Sequence, residues 1–277
     1  MNFLLFLLYL VPKNILSHYV GKLVHIRLPE PLGSWSVRTF ASYYKIRLQE
    51  AERPVAEYKS IGELFTRFLK PGLRSIGDAK IVHPADSRIS QTAKIKDGFC
   101  IQAKNKNYSI HDFSQDPEAM KKWGDGRFAT YYLCPTDYHR VHSPVSGKIT
   151  QVTYVPGALW PVNEWSTTNI DKLFAVNERV CIEIETDLGP VLLVMVGATN
   201  VGKMTLAFDK ELITNQFHQS TQRKTYQALS IKKGDEVGVF HMGSTVVMLY
   251  PASFEEFTQK LRPGTVLMGQ NFDQFLD

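Results

Sequence analysis

The spacing of apolar residues in this chain changes character near residue 70. Phe3 to Val11 is uninterrupted apolar sequence, closed by Pro12. Crossing a bilayer takes about 20 such residues, so this tip is too short to span one. It also lacks the basic start and small-residue cleavage site of a signal peptide. From Lys13 the spacing turns helical. Ile15, Leu16, Tyr19, Val20, Leu23 and Val24 share one face, while Asn14, Ser17, His18, Lys22 and His25 lie largely off it. An amphipathic helix with basic residues behind an apolar tip predicts a monotopic membrane contact, and an ordinary core helix is the competing reading. Pro29, Pro31 and Gly33 interrupt the pattern, and a second helix is expected from about Ser36 to Ala51. Ser60 and Glu63 have capping-box spacing, which predicts a short helix through Leu69 that Pro71-Gly72 ends.

From about Ile76 onward, short runs rich in β-branched residues alternate with Gly, Pro, Asn and Asp turns. Strands are expected at 147–149, 181–186, 191–196, 237–240 and 246–250. The expected class is α+β: a helical, membrane-facing region over residues 1–70, then a β-rich domain, antiparallel or barrel-like, over residues 71–277. No internal repeat or low-complexity segment interrupts it.

Composition narrows the partners. The chain has 277 residues, 44% of them hydrophobic, enough for a large core. Its net charge is +5, and residues 1–50 hold Lys13, Lys22, Arg27, Arg38, Lys45 and Arg47 against only Glu30 and Glu50. Without aromatic residues interleaved for base stacking, that basic end suits an anionic lipid surface and not nucleic acid. Cys100, Cys134 and Cys181 are odd in number and widely spaced, which argues against disulfides or a zinc site and for a reducing compartment.

Three segments carry candidate chemistry. Gly243-Ser244-Thr245 precedes an apolar strand, a place where a serine hydroxyl can attack the carbonyl of its own preceding residue unhindered by a Cβ. Such triplets are also ordinary turns entering strands. Thr136 to Pro144 carries His139 and His142, and His83-Pro84-Ala85-Asp86 carries a carboxylate. Asp86, His142 and Ser244 can form an orienter, base and nucleophile. Other readings compete. Gly197-x-x-x-x-Gly202-Lys203 has P-loop spacing, but Met204 replaces the magnesium-binding Ser or Thr and the next residues read as a strand. His139 and His142 lack a third ligand at a telling spacing, so no metal is expected. Ser143 to Ile149 and Lys232 to Gly238 echo carrier domains, without the Met-Lys-Met display turn.

Taken with their flanks, these segments resemble the phosphatidylserine decarboxylase family in its bacterial, pyruvoyl-dependent form. The matching stretches are Pro84-Ala85-Asp86, Asp137 to His142, Tyr154 to Gly157, Asn177-Glu178-Arg179, Val196-Gly197-Ala198 and Gly243-Ser244-Thr245. The resemblance implies self-cleavage between Gly243 and Ser244 into a β chain, 1–243, and an α chain, 244–277. The α chain would begin with a pyruvoyl group made from Ser244, which binds the amine of phosphatidylserine as a Schiff base. Decarboxylation then gives phosphatidylethanolamine. By the same resemblance His142, oriented by Asp86, is the cleavage base, and His139 the acid that reprotonates the substrate carbon. The implied setting is peripheral, on phosphatidylserine in an anionic membrane at the cytoplasmic face of the bacterial plasma membrane, with a homodimer as the expected assembly. Met242 stands where the family often has Leu. Ser87 stands where it commonly has Gly, which would strain the backbone if φ there were positive. The alternatives are a membrane-associated β-barrel binding module and a serine hydrolase without a pyruvoyl group, although the Gly-x-Ser-x-Gly elbow of hydrolases is absent.

Overall fold

The computed structural model describes residues 11–103, 106–199, 203–216, 219–243 and 245–276. Nearly all of the apolar tip, and Ser244 itself, lie outside the described residues.

Helix α1 (Lys13–Val24) follows Pro12, whose fixed φ suits a helix start. Its apolar stripe faces away from the protein: Tyr19 and Leu23 are 62% and 64% exposed, and Ile15 and Leu16 are also exposed. The polar side does the docking. Lys13 and Ser17 are buried, the Lys13 ammonium sits 3.8 Å from the Trp160 ring centroid, and Asn14 donates to the Gly157 carbonyl at 2.7 Å. A core helix would be turned the other way. Helix α2 (Leu32–Tyr43) begins earlier and ends earlier than the expected 36–51. Gly33, Val37 and Ala41, one face at i, i+4 and i+8, are buried. The chain leaves the helix at Lys45, whose φ of 52° is left-handed, and residues Leu48–Glu50 form only a 3₁₀ turn. Trp35 and Tyr43 remain exposed. The third helix, α3 (Ile61–Phe65), is shorter than expected. Ser60 caps it by accepting from the Glu63 amide at 3.2 Å, while Glu63 reaches back to the Lys59 amide at 3.0 Å. Among the described residues no helix is long and apolar enough to cross a membrane.

The strands that follow are β1 (Ser87–Lys94), β2 (Phe99–Ala103), β3 (Lys106–Ser109), β4 (Arg127–Tyr132), β5 (Arg140–His142), β6 (Gly147–Val155) and β7 (Arg179–Glu185). After them come β8 (Val191–Val196), β9 (Met204–Leu206), β10 (Gln222–Ile231), β11 (Glu236–Phe240), β12 (Thr245–Tyr250) and β13 (Gly264–Val266). Eight of them form one sheet in the order β10-β6-β7-β8-β12-β4-β1-β13, antiparallel at every pairing. The barrel-like expectation is corrected here. The sheet is open, with β10 and β13 at its edges. Its middle strands β8 and β12 are buried at every position, which is why each reads as a continuous apolar run and not as an alternation. A second sheet, β5-β11-β9, stands beside it, and β2 and β3 pair as a separate hairpin.

One topological fact positions the site. Strand β11 belongs to the small sheet and β12 to the middle of the large one, so in the chain residues 241–244 lie between strands of the two sheets. Strand β5, which ends in His142, pairs with β11 at Glu236↔His142 and Val239↔Arg140. This register sets His139 beside Phe240, next to the Gly-Ser segment, and His142 at the opposite end of β11.

The turn before β1 has its own electrostatic signature. His83 is fully buried, stacked on Phe272 at 5.0 Å, with Nδ1 3.3 Å from the Tyr131 hydroxyl. Burial lowers its pKa to about 3. The unfolded chain thus binds a proton here, between that value and about 6.5, that the folded chain does not. The stability it contributes is present above pH ~6.5 and is lost as pH falls, at up to ~1.4 kcal/mol per pH unit. His83→Phe should remove that component from the slope of urea-unfolding free energy between pH 6.5 and 4.5. An unchanged slope would mean that His83 is not held neutral.

Candidate active site

Gly243 lines a cavity of about 200 Å³ with Phe40 of α2, Tyr44 just after that helix, Phe65 of α3, and Asn163 and Thr199. His139 packs against the same place. Its ring lies 4.0 Å from that of Phe65. Its Nδ1 is 2.9 Å from the Asp137 carbonyl, which can only accept, so Nδ1 carries the proton and Nε2 holds the lone pair. That Nε2 is buried without a hydrogen-bond partner among the described residues. A Cβ added to Gly243 would stand 3.3 Å from it and 3.3 Å from the Leu133 carbonyl. Glycine at position 243 lets the imidazole and the linker backbone meet without crowding.

Burial lowers the pKa of His139 to about 3, with the Asp137 carbonyl opposing the shift and Arg67 adding to it. In this setting His139 is neutral at pH 7 and must collect a proton before it can act as the acid that the resemblance implies. Asp137 beside it is pushed the other way, up to about 6, chiefly by burial. Its carboxylate accepts from the Cys134 amide at 2.8 Å.

His142 has the same tautomer by a different route. Its Nδ1 donates to the Gly234 carbonyl at 2.8 Å, and Nε2 lies 3.3 Å from the Tyr138 hydroxyl. Burial also lowers its pKa, while Asp86 is one of the charges that raise it.

Asp86 is fully buried, but its hydrogen bonds run elsewhere than expected. Arg74 donates Nε and Nη2 to the carboxylate at 2.9 and 2.5 Å, and the Met268 amide donates at 2.9 Å. Arg74 is in turn held by Glu50 at 2.8 Å. A direct hydrogen bond from His142 to Asp86 is therefore not present: the acceptor that orients His142 is the Gly234 carbonyl. The physical reason is that a buried carboxylate is stabilised far more by a forked guanidinium than by a neutral imidazole. Asp86 reaches His142 through its charge alone. Ser87 brings no strain, since its φ is not among the positive values, and its hydroxyl bonds the Ala85 carbonyl.

Sequence reasoning missed Arg74, Gly234 and Phe65. Arg74 sits 12 residues before Asp86 in a segment with no periodicity, and a carbonyl acceptor leaves no mark in side-chain spacing. The P-loop-like reading has no structural counterpart, because Lys203 is followed by strand β9 and not by a helix whose N-terminus could hold phosphates.

A family model described as phosphatidylserine decarboxylase matches residues 61–272. A phosphatidylserine decarboxylase proenzyme of Myxococcus xanthus (strain DK1622) is 39% identical over 246 residues, covering 88% of each chain. One from Anaeromyxobacter sp. (strain K) is 40% identical over 259 residues, 92% of each. One from Shewanella sp. (strain MR-4) is 40% identical over 283 residues, 97% of this chain and 95% of the relative. With a match over most of its length to the family model and at this identity to the proenzymes, the chain belongs to the phosphatidylserine decarboxylase family.

Proposed function

We propose that this chain decarboxylates phosphatidylserine to phosphatidylethanolamine, using a pyruvoyl group that it makes from Ser244. The observation that carries the reading is the buried, unpartnered Nε2 of His139 set against Gly243 at the wall of a small cavity. That arrangement fits a reactive carbonyl at the head of β12, with space for a small headgroup and a proton carrier beside it.

In the cleavage step, His142 takes the hydroxyl proton of Ser244. Its Nδ1–H on Gly234 places the lone pair on Nε2, which must exchange the Tyr138 hydroxyl for that of Ser244. The charge of Asp86 partly offsets the lowering of the His142 pKa by burial. The Ser244 oxygen attacks the Gly243 carbonyl carbon and the peptide C–N bond breaks. Elimination then releases chain 1–243 with Gly243 as its terminal carboxylate. Hydrolysis of the dehydroalanine left at 244 expels ammonia and gives chain 244–277 its pyruvoyl start. The 241–244 link between the two sheets is the part of the chain whose backbone can be opened while each sheet keeps its hydrogen bonds.

Joined to the substrate amine, the pyruvoyl group supplies an electron sink for the pair left behind by carbon dioxide. His139, neutral at rest, removes a proton from the substrate ammonium, which frees the amine to react. It then returns that proton from Nε2 to the carbon that has lost carbon dioxide. Phe65 and the burial of the ring keep water from that nitrogen.

The helical end contacts an anionic membrane peripherally, at the cytoplasmic face. Ile15, Leu16, Tyr19 and Leu23 of α1 and Trp35 and Tyr43 of α2 are exposed, and the basic residues of this region add attraction to anionic headgroups.

Two experiments test the reading. His142→Ala should stay uncleaved by intact mass. His139→Ala should cleave and label with hydrazine, yet release carbon dioxide from phosphatidylserine about 10²–10⁴-fold more slowly. If His139→Ala stays intact while His142→Ala cleaves, the two roles are exchanged; if both cleave and turn over normally, neither histidine does this work. Separately, Tyr19→Ser with Leu23→Ser should weaken sedimentation with phosphatidylserine vesicles by roughly tenfold or more, since each apolar side chain contributes about 1.5–3 kcal/mol when buried. Unchanged sedimentation would remove α1 from the membrane contact.

A further inference from the structure

A second cavity, of about 430 Å³, adjoins the one that holds Gly243. Tyr132, Val162 and Asn163 line both. Gly243 opens on the first and Thr245 on the second, so the two flank the cleavage position on either side.

The sheet register explains what faces this space. Arg88 of β1 pairs with Tyr132 of β4, and Tyr132 pairs with Thr245 of β12. Directly paired residues of neighbouring strands project to the same face, and strands are about 4.8 Å apart. Arg88, Tyr132 and Thr245 therefore form one row, with the arginine backbone about 10 Å from that of Thr245, a span its own side chain largely bridges.

Most polar groups around the cavity are already committed. Gln102 donates to the Thr167 and Ile170 carbonyls and accepts from the Leu173 amide. Ser90 donates to the Thr130 carbonyl. Two groups remain. The Arg88 side chain is exposed and makes no ion pair or hydrogen bond among the described residues. The Thr245 hydroxyl is buried with no partner among the described residues. Glu164 is the acidic member of the lining, which sets a negative charge against free anions and favours a ligand anchored by other contacts.

We propose that this cavity receives the phosphodiester of the phospholipid headgroup, held by the Arg88 guanidinium, with the Thr245 hydroxyl as a donor at its inner end. The inference rests on the decarboxylase reading above. The substrate carries two anions, and the chemistry selects between them. The carboxylate loses its charge as it becomes carbon dioxide, so an arginine bound to it would stabilise the starting state more than the transition state and slow the reaction. The phosphodiester keeps its charge throughout. A guanidinium there strengthens binding without opposing the chemical step. The phosphate is also only a short run of bonds from the amine that reacts at position 244, which matches a site two strands away from Thr245.

The test uses the full-length processed enzyme and two soluble short-chain probes, dihexanoyl phosphatidylserine and its product, dihexanoyl phosphatidylethanolamine. The product keeps the phosphate and lacks the carboxylate. Arg88→Ala should raise KM for the serine lipid and the calorimetric Kd of the ethanolamine lipid together, by roughly ten- to a hundredfold. Both kcat and the intact-mass pattern of self-cleavage should stay near wild type, and Arg88→Lys should recover part of the loss. A rise in KM with an unchanged Kd for the ethanolamine lipid would assign Arg88 to the carboxylate and overturn the proposal. Unchanged values for both lipids would overturn it as well, as would equal loss in Arg88→Ala and Arg88→Lys. The calorimetric arm reads phosphate binding without turnover. A wild-type protein that binds the ethanolamine lipid through Arg88 and releases no carbon dioxide would therefore sink the decarboxylase reading and leave this one standing.

Discussion

The close approach of the His139 imidazole to the backbone of Gly243 is the constraint around which the rest is arranged. A side chain at 243 would sit 3.3 Å from both Nε2 and the Leu133 carbonyl, so any residue but glycine would have to push one of them back by a few tenths of an ångström. The contact lies where three parts of the molecule meet. The linker between the small and large sheets provides the glycine, the loop entering β5 provides the histidine, and Phe65 of α3 closes over the ring. Burying that imidazole removes its charge at neutral pH, which changes its chemistry from standing acid to base and carrier.

The electrostatics around this contact are divided by partner type. Asp86, the carboxylate, is matched with Arg74 and a backbone amide, while both histidines are matched with backbone carbonyls. A neutral imidazole held by a carbonyl keeps a lone pair on its other nitrogen, whereas one held by a buried carboxylate would be drawn toward the charged form. Placing the arginine between Asp86 and its surroundings lets the carboxylate stay buried without protonating its neighbours. Breaking that pair would leave an uncompensated buried charge, an effect of about 3–5 kcal/mol.

Much of the fold was legible because burial was complete. Strands β8 and β12 are covered on both faces, so their residues read as unbroken apolar runs. The boundaries of α2 were not legible, since its end depends on a left-handed residue at Lys45 that no propensity signals. Closure of the sheet could not be read either: strand spacing is the same for an open sheet and a barrel, and what decides it is that β10 and β13 have no further strand beyond them among the described residues. For α1 the periodicity was right, but only the structure shows that the apolar stripe faces away from the core, with Lys13 and Ser17 buried instead. At the site, residue types were legible and partners were not. Asp86, His139 and His142 stand out as side chains, yet the groups that orient the histidines are carbonyls, and Arg74 lies in a segment without a pattern.

The central claim is that the chain cuts itself between Gly243 and Ser244 and leaves a carbonyl at the new start. Intact-mass spectrometry of the purified wild-type protein tests it most directly. The account predicts two polypeptides, residues 1–243 and residues 244–277. The smaller should have the mass of a pyruvoyl start, with no free amino terminus, and should shift on treatment with a hydrazine. A single full-length chain in protein that decarboxylates phosphatidylserine, or a small chain that begins with an unmodified serine, would contradict it.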